Sequence, residues 1–380
     1  MAEASRLIGG IVPAIGDYVK TRFVWVGVEA ARPLTSRRSM STRRAIIHGT
    51  GLLGGSVGLA LRSQGWEVAG WDPDPRGLAE ATRRGALTTE LDGPEADADL
   101  VVLAAPPEAV VTTLTRLETD ALVTDIAGVK GPIVTAGSRL AHFVGGHPMA
   151  GGETSGASLA TRTMFHGATW VITSDGADPA DVTTLGGIVA SFGANPLVMT
   201  AAEHDAAVAR VSHLPHVLAA ALMRLAASDQ ASLSLAGGGF RDLTRIAAGD
   251  STWWAEILST NADEVNTAIE DLQKELDTWR RMIEGPSVAE LDGELEAARV
   301  ARAGLGEHHT QVRVVLLDRP GEIARVGHAL ESSRVDVRDF QLRHGEHGGG
   351  GILTISVKGN NKDALLVALI DEGFEVRTEG

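Results

Sequence analysis

Residues 44–61, Arg44-Ala45-Ile46-Ile47-His48-Gly49-Thr50-Gly51-Leu52-Leu53-Gly54-Gly55-Ser56-Val57-Gly58-Leu59-Ala60-Leu61, decide the fold. The first five read as a strand and the run after Gly54 as a helix, with Gly49, Gly51 and Gly54 in G-x-G-x-x-G spacing between them. That spacing is weak alone and specific in this setting. The first glycine permits a tight turn, the second lets a pyrophosphate approach the backbone, and the third lets helix pack on strand. The helix N-terminus then offers unpaired amide hydrogens to the phosphates. Gly49, Gly51, Leu52, Leu53 and Gly54 are therefore cofactor-binding candidates.

An acid completes the motif. Val68-Ala69-Gly70-Trp71 reads as the second strand and delivers Asp72, whose carboxylate would accept hydrogen bonds from the adenosine ribose hydroxyls. It would repel a ribose phosphate, which favours NAD, while Arg76 and Arg83-Arg84 leave NADP open. Short β-rich runs alternate with helical ones from residue 41 to about 200, as a mostly parallel sheet requires. Leu100–Ala104 and Leu122–Asp125 are further strands. Pro106 and Asp125 thus fall beyond strand carboxyl ends, where such sheets bind ligands, and join the cofactor candidates.

A net charge of −15, from 34 basic and 49 acidic side chains in 380 residues, argues against nucleic-acid and anionic-membrane partners. The absence of cysteine rules out disulfides, thiolate nucleophiles and cysteine metal sites, and fits a cytoplasmic protein. No apolar run is expected to approach the ~20 residues that span a bilayer. Residues 1–40 carry no convincing secretory signal and read as a disordered extension.

Residues 201–295 show helical spacing, for example at Leu214, Leu218 and Leu225, and predict an all-helical substrate and dimerisation domain. Residues 296–309 read as a linker. Residues 310–380 form a βαββαβ unit: strand Val312–Leu317, turn Asp318-Arg319-Pro320-Gly321, a helix with Ile323, Val326 and Leu330 on one face, a hairpin of Val335–Leu342 and Ile352–Val357, a helix over Ala364–Ile370 and a last strand.

Two further segments carry chemistry. Gly145-Gly146-His147-Pro148 reads as a tight loop presenting an imidazole able to take a proton near neutral pH. Ser212-His213-Leu214-Pro215-His216 places Ser212 and His216 about one helical turn apart, with Pro215 kinking the segment or sitting in its first turn. His213 and His216 have no evident third partner, so no metal is expected.

From about Arg43 onward the chain resembles the prephenate dehydrogenase family with a C-terminal ACT domain. The glycine loop carries the resemblance together with Val123–Lys130, the His147 and Ser212–His216 blocks, Gly239–Ala247, and Trp254 and Asn261 behind them. The Asp-Arg-Pro-Gly turn carries it in the tail. The resemblance implies NAD-dependent oxidative decarboxylation of prephenate to 4-hydroxyphenylpyruvate, with His147 taking the C4 hydroxyl proton as hydride leaves C4. It implies that Arg245 grips the ring carboxylate, that Glu153 and Asp242 join it in a polar network beside Trp254, and that Ser212 and His216 hold the substrate side chain. A homodimer and an amino-acid effector, tyrosine first, near Asp318 and Gly321 are also implied. Arogenate is the closest alternative substrate, with His216 leaning the resemblance toward prephenate. A non-catalytic sensor of NAD and an amino acid would share both ends of the chain, but would not need His147, Ser212, His216 and Arg245 together. One position departs from the family: Gly128 stands where a serine ordinarily contacts the catalytic histidine. That departure predicts reduced pre-organisation of His147, with room for a water in the hydroxyl's place.

Overall fold

The computed structural model describes residues 42–151, 156–285, 287–304, 309–317, 319–344, 351–358 and 361–378. The extension assigned to residues 1–40 and the candidates Glu153 and Asp318 lie outside them.

Six strands, β1 (Arg44–His48), β2 (Glu67–Trp71), β3 (Thr89–Glu90), β4 (Leu100–Leu103), β5 (Leu122–Asp125) and β6 (Phe143–Val144), pair in parallel in the order β3-β2-β1-β4-β5-β6. The helices α1 (Leu52–Ser63), α2 (Pro75–Arg83), α3 (Pro107–Leu114) and α4 (Gly131–Gly137) connect them. In β4 all four residues are buried, and alternate ones enter opposite cores. Leu100 and Val102 pack with Val57, Leu61 and Val68, whereas Val101 and Leu103 pack with Val110, Leu114 and Ile133. A strand covered on both faces needs this unbroken apolar run. The strand order reverses between β1 and β4, so the cofactor crevice opens there.

After β6 the chain leaves this sheet. β7 (Gly146–Pro148) runs antiparallel to β8 (Thr169–Thr173), which pairs in parallel with β9 (Asn195–Met199) across α5 (Pro179–Ser191). A side chain at Gly145 would meet Thr173 Oγ1 at 2.7 Å, and one at Gly146 would meet the Asp125 carbonyl oxygen at 2.7 Å, so both glycines are demanded by close crossing. His147 is therefore not on a loop, as its neighbours suggested, but on β7 opposite Val171. Cross-strand hydrogen bonding has overridden the turn tendency of the flanking glycines and proline.

The helical part begins with α6 (Ala201–Val208), opened by a reciprocal cap between Thr200 and Glu203. A π-helical turn, Ala209–His213, leads into α7 (Leu214–Ala227), where Pro215 occupies the first turn. Proline has no N–H to continue the ladder, and the wider turn absorbs that loss. Together Ala201–Ala227 form 27 helical residues, long and apolar enough by composition to cross a membrane. Glu203, Asp205, Arg210 and Arg224 interrupt it, so it is not an unbroken apolar run. In the fold the helix carries His204, Asp205, His213 and His216, all buried. Then come α8 (Gln230–Ser234), α9 (Gly238–Thr244), a 3-10 turn Arg245–Ala248, α10 (Ser251–Thr260) and α11 (Ala262–Glu284). Leu218 and Leu225, which mark the helical spacing, are exposed in the single chain, Leu225 at 72%.

The chain divides into two compact units between Lys274 and Glu275, inside α11. In the second, α12 (Val288–Ala303) covers residues 296–303 of the stretch read as a linker, started by Ser287 accepting from the Glu290 amide. β10 (His309–Leu316), α13 (Glu322–Ser333), β11 (Val337–His344), β12 (Gly351–Lys358), α14 (Lys362–Asp371) and β13 (Glu375–Thr378) follow in the βαββαβ order expected, with an antiparallel sheet β11-β12-β10-β13. Val326 and Ala329 of α13 and Leu365 and Leu369 of α14 pack on Val312, Val314, Leu353 and Ile355. Ile323, assigned to the inner face, is exposed because the buried stripe runs through Glu322, Val326 and Ala329 instead.

Candidate active site

The glycine loop fits a dinucleotide. Gly49 has φ +90°, and a Cβ there would stand 2.1 Å from the Ala104 carbonyl oxygen; one at Gly54 would stand 2.0 Å from the Gly49 oxygen. A Cβ at Gly51 would meet nothing within 4 Å, so the loop is closed toward the protein and open at Gly51. Gly51 precedes α1 without a side-chain cap, leaving the first-turn amides of Leu52, Leu53 and Gly54 without a side-chain acceptor and suited to phosphate. Asp72 follows β2 and braces the loop: Oδ2 accepts from the Thr50 amide at 2.6 Å and Oδ1 from the Asp74 amide at 2.9 Å. A carboxylate has about four acceptor sites, so Asp72 can serve both the loop and ribose hydroxyls. Pro106 stands at the N-terminus of α3, and the next amide but one, Glu108, donates to Glu256 of α10 at 2.8 Å. These groups fit NAD.

Asp125 does not have the role expected of it. Its fully buried carboxylate accepts from the Ala127 amide at 2.9 Å, from the Gly146 amide at 3.2 Å and from the ammonium of Lys130. It contributes by holding Lys130 and β7 rather than by reaching a cofactor. Lys130 also donates to the Gly146 carbonyl at 2.7 Å, immediately before His147. Burial pushes the Lys130 ammonium down from its usual value, and Asp125 opposes that shift.

His147 is half-buried, and its Nδ1 lies 2.8 Å from His204 Nε2. His204 Nδ1 in turn lies 2.7 Å from Asp205 Oδ1. Desolvation, then the neighbouring His204, Lys130 and His213, hold the His147 imidazole well below its ordinary pKa. It is therefore neutral at neutral pH and able to accept a proton. Behind it, Asn261 Nδ2 donates to the Asp205 carbonyl at 3.0 Å and to His213 Nδ1 at 3.2 Å. Burial brings His213 down to about 4. His213 is thus a neutral packing residue.

His216, buried on α7, stacks on Trp254 with ring centroids 3.8 Å apart and planes 15° from parallel. Its Nδ1 has no hydrogen-bond partner among the described residues. A buried imidazole nitrogen left in this way suits a polar ligand group. Asp250 caps α10 by accepting from the Thr252 and Trp253 amides, both at 2.9 Å, which sets the helix that carries Trp254. A Cβ at Gly249 would stand 3.0 Å from Trp254 Nε1 and 3.4 Å from His216 Cε1, so the end of the Arg245 turn packs against the stack. Ser212 is half-buried in the π turn, and Arg245 and Asp242 have exposed surface.

Gly128 faces His147: a Cβ would lie 3.8 Å from His147 Nε2 and 3.5 Å from Ile257, both ordinary contacts. Gly128→Ser should therefore fold and raise kcat/KM roughly 2- to 12-fold, the value of one hydrogen bond of about 0.5–1.5 kcal/mol. A much lower kcat/KM in steady-state assays would show that the serine is not wanted here.

His204, Asp205 and Lys130 received no site role from the sequence. Lys130 is visible only as a lysine five residues after a strand-end aspartate, and His204-Asp205 only as part of the polar run Glu203-His204-Asp205 in a helix of alanine and valine.

The sequence matches the family described as "Prephenate dehydrogenase, nucleotide-binding domain" over residues 57–198, and "Prephenate dehydrogenase, dimerization domain" over 200–296. Among curated relatives, "Prephenate dehydrogenase" of Bacillus subtilis is 28% identical over 359 residues, covering 88% of this chain and 97% of that protein. "Probable prephenate dehydrogenase NovF" of Streptomyces niveus is 32% identical over 351 residues, covering 85% and 96%. Among solved structures, prephenate dehydrogenase from A. aeolicus in complex with hydroxyphenyl propionate and NAD+ matches with a TM-score of 0.66 and 29% identity, covering 71% of this chain and all of that one.

Proposed function

The chain belongs to the prephenate dehydrogenase family, and from that premise we infer how its residues carry out the NAD-dependent oxidative decarboxylation of prephenate. The glycine loop at Gly49, Gly51 and Gly54 and the Asp72 carboxylate would hold NAD, which would supply the acceptor for the C4 hydride. His147 takes the C4 hydroxyl proton at Nε2; the observation that supports this is that Nδ1 is already engaged by His204, leaving Nε2 as the ring nitrogen on the Gly128 side. Loss of CO2 makes the ring aromatic, and the proton returns to the phenol oxygen. Arg245 grips the ring carboxylate, a task for which a planar guanidinium suits better than lysine. Ser212 and the unpartnered Nδ1 of His216 hold the pyruvyl side chain, with Trp254 supporting the His216 ring.

The test is turnover. The purified chain with NAD and prephenate should produce reduced nicotinamide absorbance, with arogenate and NADP in parallel. Silence with every pair would overturn the reading; faster turnover of arogenate would reassign the substrate. Tyrosine added to the same reaction tests an effector near Asp318 and Gly321, and an unchanged rate at millimolar tyrosine would remove that assignment.

Val211, Leu218, Leu225, Leu235 and Leu243 are exposed around α7 to α9. Together with the dimerization-domain match they support a homodimer formed through this helical part. Light scattering should give twice 39.7 kDa, and Leu225→Glu should shift it toward the monomer. A monomeric parent chain at micromolar concentration would sink the proposal.

A further inference from the structure

We infer that His204 and Asp205 are positioning residues for His147: a directed hydrogen-bond relay that fixes which nitrogen is the base and shares the proton it takes, a role that rests on His147 being that base. The direction follows from Asp205, whose carboxylate can only accept. Its Oδ1 receives the Lys130 amide at 2.8 Å and its Oδ2 the Gly131 amide at 2.7 Å, so backbone at the start of α4 holds it in place. His204 Nδ1, 2.7 Å from Oδ1, must then carry a hydrogen. With that hydrogen committed to Asp205, the lone pair on His204 Nε2 faces His147 Nδ1 at 2.8 Å, and His147 donates to it. His147 Nε2 is left bare, on the edge that faces Gly128. The opposite tautomer of His147 would set two lone pairs against each other.

The relay also disposes of charge. When the substrate O–H bond breaks and an N–H bond forms at His147 Nε2, the imidazolium lies among Lys130, His213 and His204, with burial against it. Sharing the Nδ1 proton with His204 moves positive charge next to the Asp205 carboxylate, and Asp125 offsets Lys130 on the other side. No electrons pass through the relay. Return of the proton to the phenol oxygen restores it each turnover. Because His204 holds the ring from behind, this chain can lack a serine at position 128 and still aim its base.

The test uses the full chain. In His204→Gln the amide oxygen can still accept from His147 Nδ1 but cannot take up charge. We expect kcat with prephenate to fall about 10- to 100-fold, a fraction of what a positioned base contributes. KM should stay within about threefold, the acid limb of kcat should shift, and NAD affinity by calorimetry should be unchanged. Nitrogen-15 NMR of the parent chain at pH 7.5, with the His147 signal assigned by its loss in His147→Asn, should show the Nδ1–H tautomer. Unchanged kcat and pH profile in His204→Gln, or an Nε2–H tautomer, overturns the relay. If the glutamine variant does not fold, the tautomer of the parent chain decides. Should the parent chain not oxidise prephenate or arogenate, the functional reading fails while the tautomer still judges the relay.

Discussion

Replacing His147 with asparagine should lower kcat by about 10²–10⁴-fold and leave KM for prephenate nearly unchanged, because a positioned general base acts on the step and not on binding. Asparagine is the informative choice. Its amide N–H can still meet His204 Nε2, so the loss is of the base rather than of the packing around it. The pH profile gives a second reading. Only the neutral imidazole can accept the proton, and burial with three cationic or potentially cationic neighbours holds the His147 pKa well below 6.5. The parent activity should therefore be flat across this group from about pH 6.5 upward and fall only as pH drops through that lower value. The asparagine variant should lose that limb. Full turnover in the variant would mean that the base lies elsewhere.

Arg245→Ala should act on the other kinetic constant. Arg245 opens the 3-10 turn whose far end packs against the His216 and Trp254 stack. Its side chain has exposed surface in the single chain, so a ring carboxylate held there would complete the desolvation of the pair only on binding. That places the loss near the low end for truncating one partner of a charge pair, about 2 kcal/mol, or roughly 30-fold in KM. Lysine at the same position should recover only part of it, since an ammonium cannot make the bidentate contact. An unchanged KM in the alanine variant would remove Arg245 from the site.

The two arguments draw on different kinds of information. The cofactor cradle is local: strand, glycine turn, helix N-terminus and Asp72 lie within 29 residues, and backbone sterics tie each glycine to its place, as the 2.1 Å approach at Gly49 shows. The βαββαβ order of the tail is equally local, because turn residues and apolar periodicity act over a few residues. Even there a helix face can be misjudged, as at Ile323, when neighbouring apolar residues offer two competing stripes.

The chemistry of His147 is not local. Its identity as a candidate base was legible from the glycine and proline around it, yet those same neighbours suggested a loop. Pairing with β8 decided otherwise, and such pairing depends on residues more than 20 positions away. The partner of Asp125 proved to be Lys130 and the partner of His147 proved to be His204, 57 residues along the chain.

Element order, the nucleotide fingerprint and the five blocks that carry the family resemblance, and with them the family and its reaction, were legible in the chain itself, because these depend on residue type and short-range spacing. The long-range fold decided that Asp72 braces the glycine loop while Asp125 is buried against Lys130, that His204 lies against His147, and which leucines stay uncovered. Those choices are made by long-range hydrogen bonds and burial, where low dielectric makes an unpaired polar group costly and leaves only one arrangement satisfied.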